Sequence, residues 1–112
     1  MSDCIFCKII AGEIPSNKVY ENDKILMFHD INPTAPVHIL CVPKIHMDSL
    51  NDVNHENIGY IANILEKIPK IAESFGIIDG YRVTTNIGPD GGQSVFHLHF
   101  HILGGRKLGY MG

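Results

Sequence analysis

Several features are missing from this 112-residue chain, and each absence narrows what it does. No apolar run approaches the roughly 18–20 residues that a membrane span requires. No basic stretch is present: nine Lys+Arg stand against twelve Asp+Glu, a formal charge of −3. A nucleic-acid partner is therefore not expected, because affinity for a phosphate backbone needs clustered Lys and Arg. Three cysteines are an odd count and make a poor disulfide framework, which predicts a reducing, cytoplasmic setting. The opening Met-Ser-Asp-Cys lacks the basic and apolar regions of a signal peptide. No repeat, linker or low-complexity stretch occurs. What remains is 45% hydrophobic and 19% charged, an ordinary globular composition of one domain's length, so a single domain over residues 1–112 is expected.

Local patterns predict an α+β fold. Cys4–Ala11 reads as a short helix ended by Gly12. Strands are expected over Lys18–Glu21, Lys24–His29, Val37–Val42, Tyr81–Asn86 and Val95–Leu103, with a hairpin turn at Asn22-Asp23. From Asn54 to Phe75, Ile58, Ile61, Ile64/Leu65, Ile68, Ile71/Ala72 and Phe75 recur at helical spacing. Asp52 or Asn54 can cap that helix, Gly76 suits a left-handed C-cap, and Pro69 predicts a kink or an early stop. The sum is a mainly antiparallel five-stranded sheet with one long helix and a short N-terminal one.

The chemistry concentrates near the C-terminus. Seven of eleven glycines fall in the last 25 residues, together with His97, His99 and His101 at alternate positions. On a strand these imidazoles share one face, while Leu98, Phe100 and Ile102 share the other and have a partner in the isoleucine stripe. A solvent-facing polar stripe is the bland alternative, but strand surfaces favour Thr, Tyr and Val. Same-face neighbours on a strand are ~6.7 Å apart, which puts His97 and His101 ~13 Å apart. One tetrahedral ion spans ligand Cα atoms at most roughly 10–11 Å apart, so the three cannot share a metal. At least one imidazole is left for proton transfer or nucleophilic attack. Upstream, Gly91-Gly92-Gln93-Ser94 offers backbone N–H groups and a hydroxyl to phosphoryl oxygens. The pair Cys4/Cys7 is half a zinc site or a redox pair, and no βαβ context favours the latter; two small buried thiols are the other option. Cys41 reads as core, and His29 and His55 as surface or structural residues.

The run His-Leu-His-Phe-His-Ile-Leu at residues 97–103 resembles the signature of the histidine triad (HIT) nucleotide-binding family. The likeness extends over Cys4–Ile10, Phe28-His29-Asp30-Ile31, Pro36–His46, Asn86 and Asp90–Arg106, and the Gly-Gly-Gln-Ser loop resembles the Hint-like branch rather than the dinucleoside polyphosphate branch. That resemblance implies a hydrolase of purine nucleoside 5′-phosphoramidates acting through a covalent nucleotidyl-histidine. It puts the nucleophile at His99, with His101, His97, His38 and Ser94 completing the catalytic group and no metal needed for that step. It implies that Asp30 holds the ribose hydroxyls, that Asn86, Gly92, Gln93 and Ser94 contact the phosphate end, and that Ile5, Phe6, Ile9, Phe28 and Ile31 wall the purine. It implies a structural zinc on Cys4, Cys7, His46 and His97, and a homodimer formed through the long helix and the strand at 81–86. The tail Lys107–Gly112 lacks the tryptophan-and-proline ending of many animal relatives, so the leaving-group preference does not carry over. A dinucleoside polyphosphate hydrolase or nucleotidyltransferase, and a nucleotide-sensing scaffold, are the competing readings.

Overall fold

A computed structural model describes residues 3–110. A short helix, α1 (Ile5–Ile10), precedes a hairpin of β1 (Lys18–Glu21) and β2 (Ile25–His29). Strand β3 (Val37–Pro43), the long helix α2 (Ile58–Ser74), β4 (Tyr81–Thr84) and β5 (Phe100–Gly104) follow. All pairings are antiparallel, in the spatial order β1-β2-β3-β5-β4.

The period-two pattern divides the sheet into two buried faces. Ile25, Met27, Ile39, Cys41, Leu98, Phe100 and Ile102 pack with Ile61, Ile64, Ile68, Ile71 and Ala72 of α2. Leu26, Phe28, Leu40 and Val42 pack with Phe6 and Ile9 of α1 on the other side. Each fully buried isoleucine or leucine contributes roughly 1.5–3 kcal/mol. The first face therefore anchors the domain, and the second, under a six-residue helix, leaves room for a cavity.

Turn chemistry fixes the connections. The β1–β2 loop is an Asx turn in which the Asn22 side-chain oxygen accepts from Lys24 N–H at 2.8 Å and Ile25 N–H at 3.0 Å. Helix α2 ends in a Schellman motif: Gly76 adopts φ +73° while Gly76 and Ile77 N–H donate to the Glu73 and Ala72 carbonyls. The side chain of Asn54 caps the turn leading into α2, accepting from Glu56 and Asn57 N–H, whereas the helix's own N-cap, Asn57, makes no side-chain cap bond.

Three expectations need correcting. Helix α2 does not stop at Pro69 but continues to Ser74. Pro69 is exposed, so water can satisfy the carbonyl left without its donor, while Ile68, Ile71 and Ala72 hold both flanks down. Ile58, Leu65 and Phe75 lie outside the buried stripe, at 46%, 50% and 37% exposure. The last strand begins at Phe100 rather than Val95, so only His101 of the triad lies on a ladder. Pro43, which lacks an N–H, ends β3; Leu98 N–H then turns to the Met47 carbonyl at 2.7 Å, and Thr85 Oγ1 donates to the His99 carbonyl at 2.7 Å. The alternation of faces survives this departure, since Leu98, Phe100 and Ile102 still meet α2.

Candidate active site and metal centre

His97 is fully buried, with its two ring nitrogens facing different partners. Nε2 lies 3.0 Å from the Pro43 carbonyl, which only accepts, so Nε2 carries the proton. Burial further lowers the His97 pKa and keeps the ring neutral. The bare Nδ1 then points at Cys4 Sγ (3.3 Å) and Cys7 Sγ (3.5 Å). His46 repeats this polarity: Nε2 is 3.0 Å from the Asp48 carboxylate, and Nδ1 is 3.4 Å from Cys7 Sγ. The four ligand atoms of Cys4, Cys7, His46 and His97 all lie within 4.8 Å of one another.

This donor set fits zinc. A tetrahedral ion with bonds of ~2.3 Å to sulfur and ~2.05 Å to nitrogen spaces its S and N ligands ~3.5 Å apart. The observed S···N separations run from 3.3 to 3.5 Å. Both imidazoles are oriented by acceptors on their outer nitrogens, the Pro43 carbonyl and the Asp48 carboxylate, as metal-binding histidines commonly are. Without an ion, burial and the neighbouring Cys4 push the Cys7 thiol up to about 11; a bound cation would reverse that preference.

The next imidazole is set by the first. His99 Nδ1 lies 2.8 Å from the carbonyl oxygen of His97, so the proton resides on Nδ1 and Nε2 keeps its lone pair. The Phe6 ring meets His99 edge-on at 5.0 Å and holds its plane. His101, on β5, stands beside it with ring centroids 5.0 Å apart.

A backbone amide fixes the remaining tautomers. Thr34 N–H donates to His38 Nδ1 at 3.1 Å, which leaves the His38 proton on Nε2. That nitrogen is 2.9 Å from His101 Nδ1 and 3.4 Å from an Asp30 carboxylate oxygen. His101 thus accepts at Nδ1 and, when neutral, presents Nε2–H. Burial, with His99 and His38 adding to it, lowers the His101 pKa to about 4; burial also lowers that of His38, against the pull of Asp30. Asp30, His38 and His101 form a second cluster compact enough for a metal. The far nitrogen of His38 accepts there instead of donating, so the near one holds a proton rather than a ligand lone pair. Proton transfer suits this cluster better than coordination.

His38, His99, His101 and Asp30 line a cavity of 420 Å³ with Ser94. Ile5, Phe6, Ile9, Phe28 and Ile31, the expected purine walls, also line it, Ile31 at 89% exposure. Ile14, Leu40 and Val95 extend the wall unforeseen, with no signal to separate them from core.

The glycine-rich loop departs from expectation. Gly91, Gly92 and Gln93 N–H groups donate to the Gly88 and Pro89 carbonyls, so they are spent inside the turn. The Gln93 side chain is buried: its Nε2 donates to the Asp48 and Val95 carbonyls and its Oε1 accepts from Gly88 N–H. Asn86 Nδ2 donates to the Gly91 carbonyl at 2.7 Å. None of Asn86, Gly92 and Gln93 lines the cavity; they shape the loop that presents Ser94. His97 does not line it either, so its part in any catalysis runs through its carbonyl. No sequence signal marked Thr34, Pro43 or Asp48, because two of them act through backbone groups and the third is one surface carboxylate among many.

A five-stranded antiparallel sheet carrying one imidazole bonded to the preceding histidine's carbonyl, above an apolar cavity, defines a histidine-triad domain. Residues 3–109 match the family model described as scavenger mRNA decapping enzyme C-term binding, and the chain belongs to the HIT family. It is 47% identical to the purine nucleoside phosphoramidase of Escherichia coli over 110 residues, 97% of this chain and 92% of that protein. It is 46% identical to the 14 kDa zinc-binding protein of Zea mays, covering 97% of this chain and 87% of the relative. The solved HIT family hydrolase from Clostridium thermocellum superposes with a TM-score of 0.95 at 44% identity, over 99% of this chain and 97% of that one.

Proposed function

We propose that this chain hydrolyses the P–N bond of purine nucleoside 5′-phosphoramidates, such as adenosine 5′-monophosphoramidate, to a nucleoside monophosphate and an amine. The carrying observation is the Nδ1 bond from His99 to the His97 carbonyl, which leaves an unprotonated Nε2 on a ring lining the cavity. His99 Nε2 attacks the α-phosphorus, a P–Nε2 bond forms, and the P–N bond to the amine breaks as the departing nitrogen takes a proton from solvent water. Water then attacks the same phosphorus, the P–Nε2 bond breaks, the water's spare proton returns to solvent, and the ring is restored. His101 Nε2–H donates to the phosphoryl oxygens as charge builds, and the His38 proton held between His101 and Asp30 keeps that tautomer in place. Ser94 contributes a hydroxyl at the phosphate end, and Asp30 accepts from the ribose hydroxyls. The E. coli relative's name supports this substrate class. The apolar walls distinguish adenine from guanine poorly.

Cys4, Cys7, His46 and His97 hold a structural zinc, a reading that the donor geometry and the Zea mays relative's name both support. The ion would tie α1 to the segment carrying His97 and so steady the carbonyl that orients His99. Cys4, Cys7 and Cys41 form no disulfide, which suits a reducing, cytoplasmic setting, and no helix among the described residues is long and apolar enough to cross a membrane. The domain spans the whole sequence and acts as a homodimer. Val83 and Leu65, 40% and 50% exposed on edge strand β4 and on α2, support that pairing.

Incubation with adenosine 5′-monophosphoramidate tests the reading. Release of AMP by the wild type, and a nucleotidyl adduct on His99 by mass spectrometry of the quenched reaction, are expected. Equal turnover by His99→Ala would sink it.

A further inference from the structure

We propose that Ser16 is a second sugar-reading residue, its hydroxyl donating to a ribose hydroxyl oxygen beside Asp30; this rests on the proposed nucleotide substrate. Among the described residues, Ser16 Oγ is the buried side-chain oxygen or nitrogen with no hydrogen-bond partner. An orphaned buried hydroxyl destabilises the protein that keeps it, so its position calls for an explanation. Ser16 lines the same cavity as Asp30, His99 and His101.

Strand register puts the two residues side by side. Lys18 pairs with Phe28, and His29 N–H donates to the Asn17 carbonyl at 3.0 Å. One step further along these antiparallel segments sets Ser16 across from Asp30, at a position between ladder bonds where facing side chains come within ~4.5–5.5 Å. One Asp30 oxygen already accepts from Asn32 N–H (2.8 Å) and the other lies 3.4 Å from His38 Nε2, yet each keeps a free lone pair. A carboxylate only accepts, so it suits the hydrogens of a ribose diol and leaves the diol oxygens needing a donor. Phe28, Ile9, Ile14 and Ile31 on the surrounding wall offer none; Asn32 and Thr34 also line the cavity, but Asn32 is exposed and Thr34 Oγ1 already meets His38 Nδ1, whereas Ser16 has a buried, uncommitted O–H. Rotation between staggered χ1 wells brings that O–H onto an arriving sugar.

The test compares wild type, Ser16→Ala and Ser16→Thr on adenosine 5′-monophosphoramidate and its 2′-deoxy and 3′-deoxy analogues. Loss of one neutral hydrogen bond predicts a KM for the ribose substrate about 5-fold higher in S16A, with kcat within two-fold. The penalty for one of the two deoxy analogues should shrink by the same factor, and S16T should restore it. The ligand-free melting temperature of S16A should equal or exceed that of wild type, since the deleted group has no partner. Unchanged selectivity in S16A overturns the proposal. So does an equal KM rise on all three substrates with a lower melting temperature, which marks a structural role. A change confined to adenine against purine riboside substrates reassigns the hydroxyl to the base and also overturns it. Failure of the wild type on every nucleotide defeats the substrate reading itself; normal wild-type turnover with an unmoved S16A defeats Ser16 alone.

Discussion

The backbone oxygen of His97 receives the Nδ1 hydrogen of His99 at 2.8 Å, while the His97 ring faces the thiols of Cys4 and Cys7 on the opposite side. One residue therefore joins the Cys/His cluster to the His99 imidazole, by its side chain in one direction and its main chain in the other. Disturbing either end should be felt at the other.

Removing the nucleophile is the most direct check. His99→Ala should lower kcat by on the order of 10³-fold or more, with nucleotide binding retained, as measured by steady-state turnover and by AMP titration calorimetry.

Metal content follows from the thiol–imidazole geometry. Protein purified without added zinc should carry one zinc per chain by elemental analysis, and Cys7→Ser should lose it and melt at a lower temperature. Asp48→Ala should weaken zinc affinity about 10–100-fold without touching a ligand, because Asp48 orients His46 from outside. A metal content well below one per chain would remove this assignment.

Asp30→Asn should act mainly on binding. Each charged hydrogen bond it replaces is worth roughly 1.5–3 kcal/mol, so KM for the ribonucleotide substrate should rise at least 10-fold. His38 also loses the carboxylate neighbour that raises its pKa, so its neutral form persists further into acid and kcat of the variant should fall less steeply than that of wild type as the pH drops.

Stability should decline with acid in a defined window. His101 titrates near 6.5 when unfolded and about 4 when folded, chiefly because of burial. As pH falls from 6.5 towards 4 the unfolded chain binds the proton first, so stability is lost over that range and this group adds no further loss below it. His38, also lowered, works in the same direction. Melting temperatures of wild type and His101→Gln should therefore converge as the pH drops from 7 to 4.

Surface substitution tests the assembly. Leu65→Glu, at a half-exposed α2 position, should shift a dimer to a monomer in sedimentation velocity while the far-ultraviolet circular dichroism stays unchanged.

Most of the architecture was legible because it depends on periodicity. Strand alternation assigned Leu98, Phe100 and Ile102 to one face and the imidazoles to the other, and the isoleucine stripe named the covering helix. These are one-dimensional patterns, set by where a side chain must point to leave water. The resemblance to the histidine triad family pointed to His99 and His101, which line the cavity, and to His46 and His97 as companions of the Cys4/Cys7 pair, which spacing alone left as half a site. Tertiary structure alone decided which atoms carry protons: the Pro43 carbonyl on His97, the Thr34 amide on His38 and the Asp48 carboxylate on His46. It also decided that the glycine loop spends its own amides and that Ser16 and Asp30 line one cavity. Backbone donors and acceptors are the same in every residue type, so no choice of side chain announces them; only the folded path brings a particular carbonyl or amide to a particular ring.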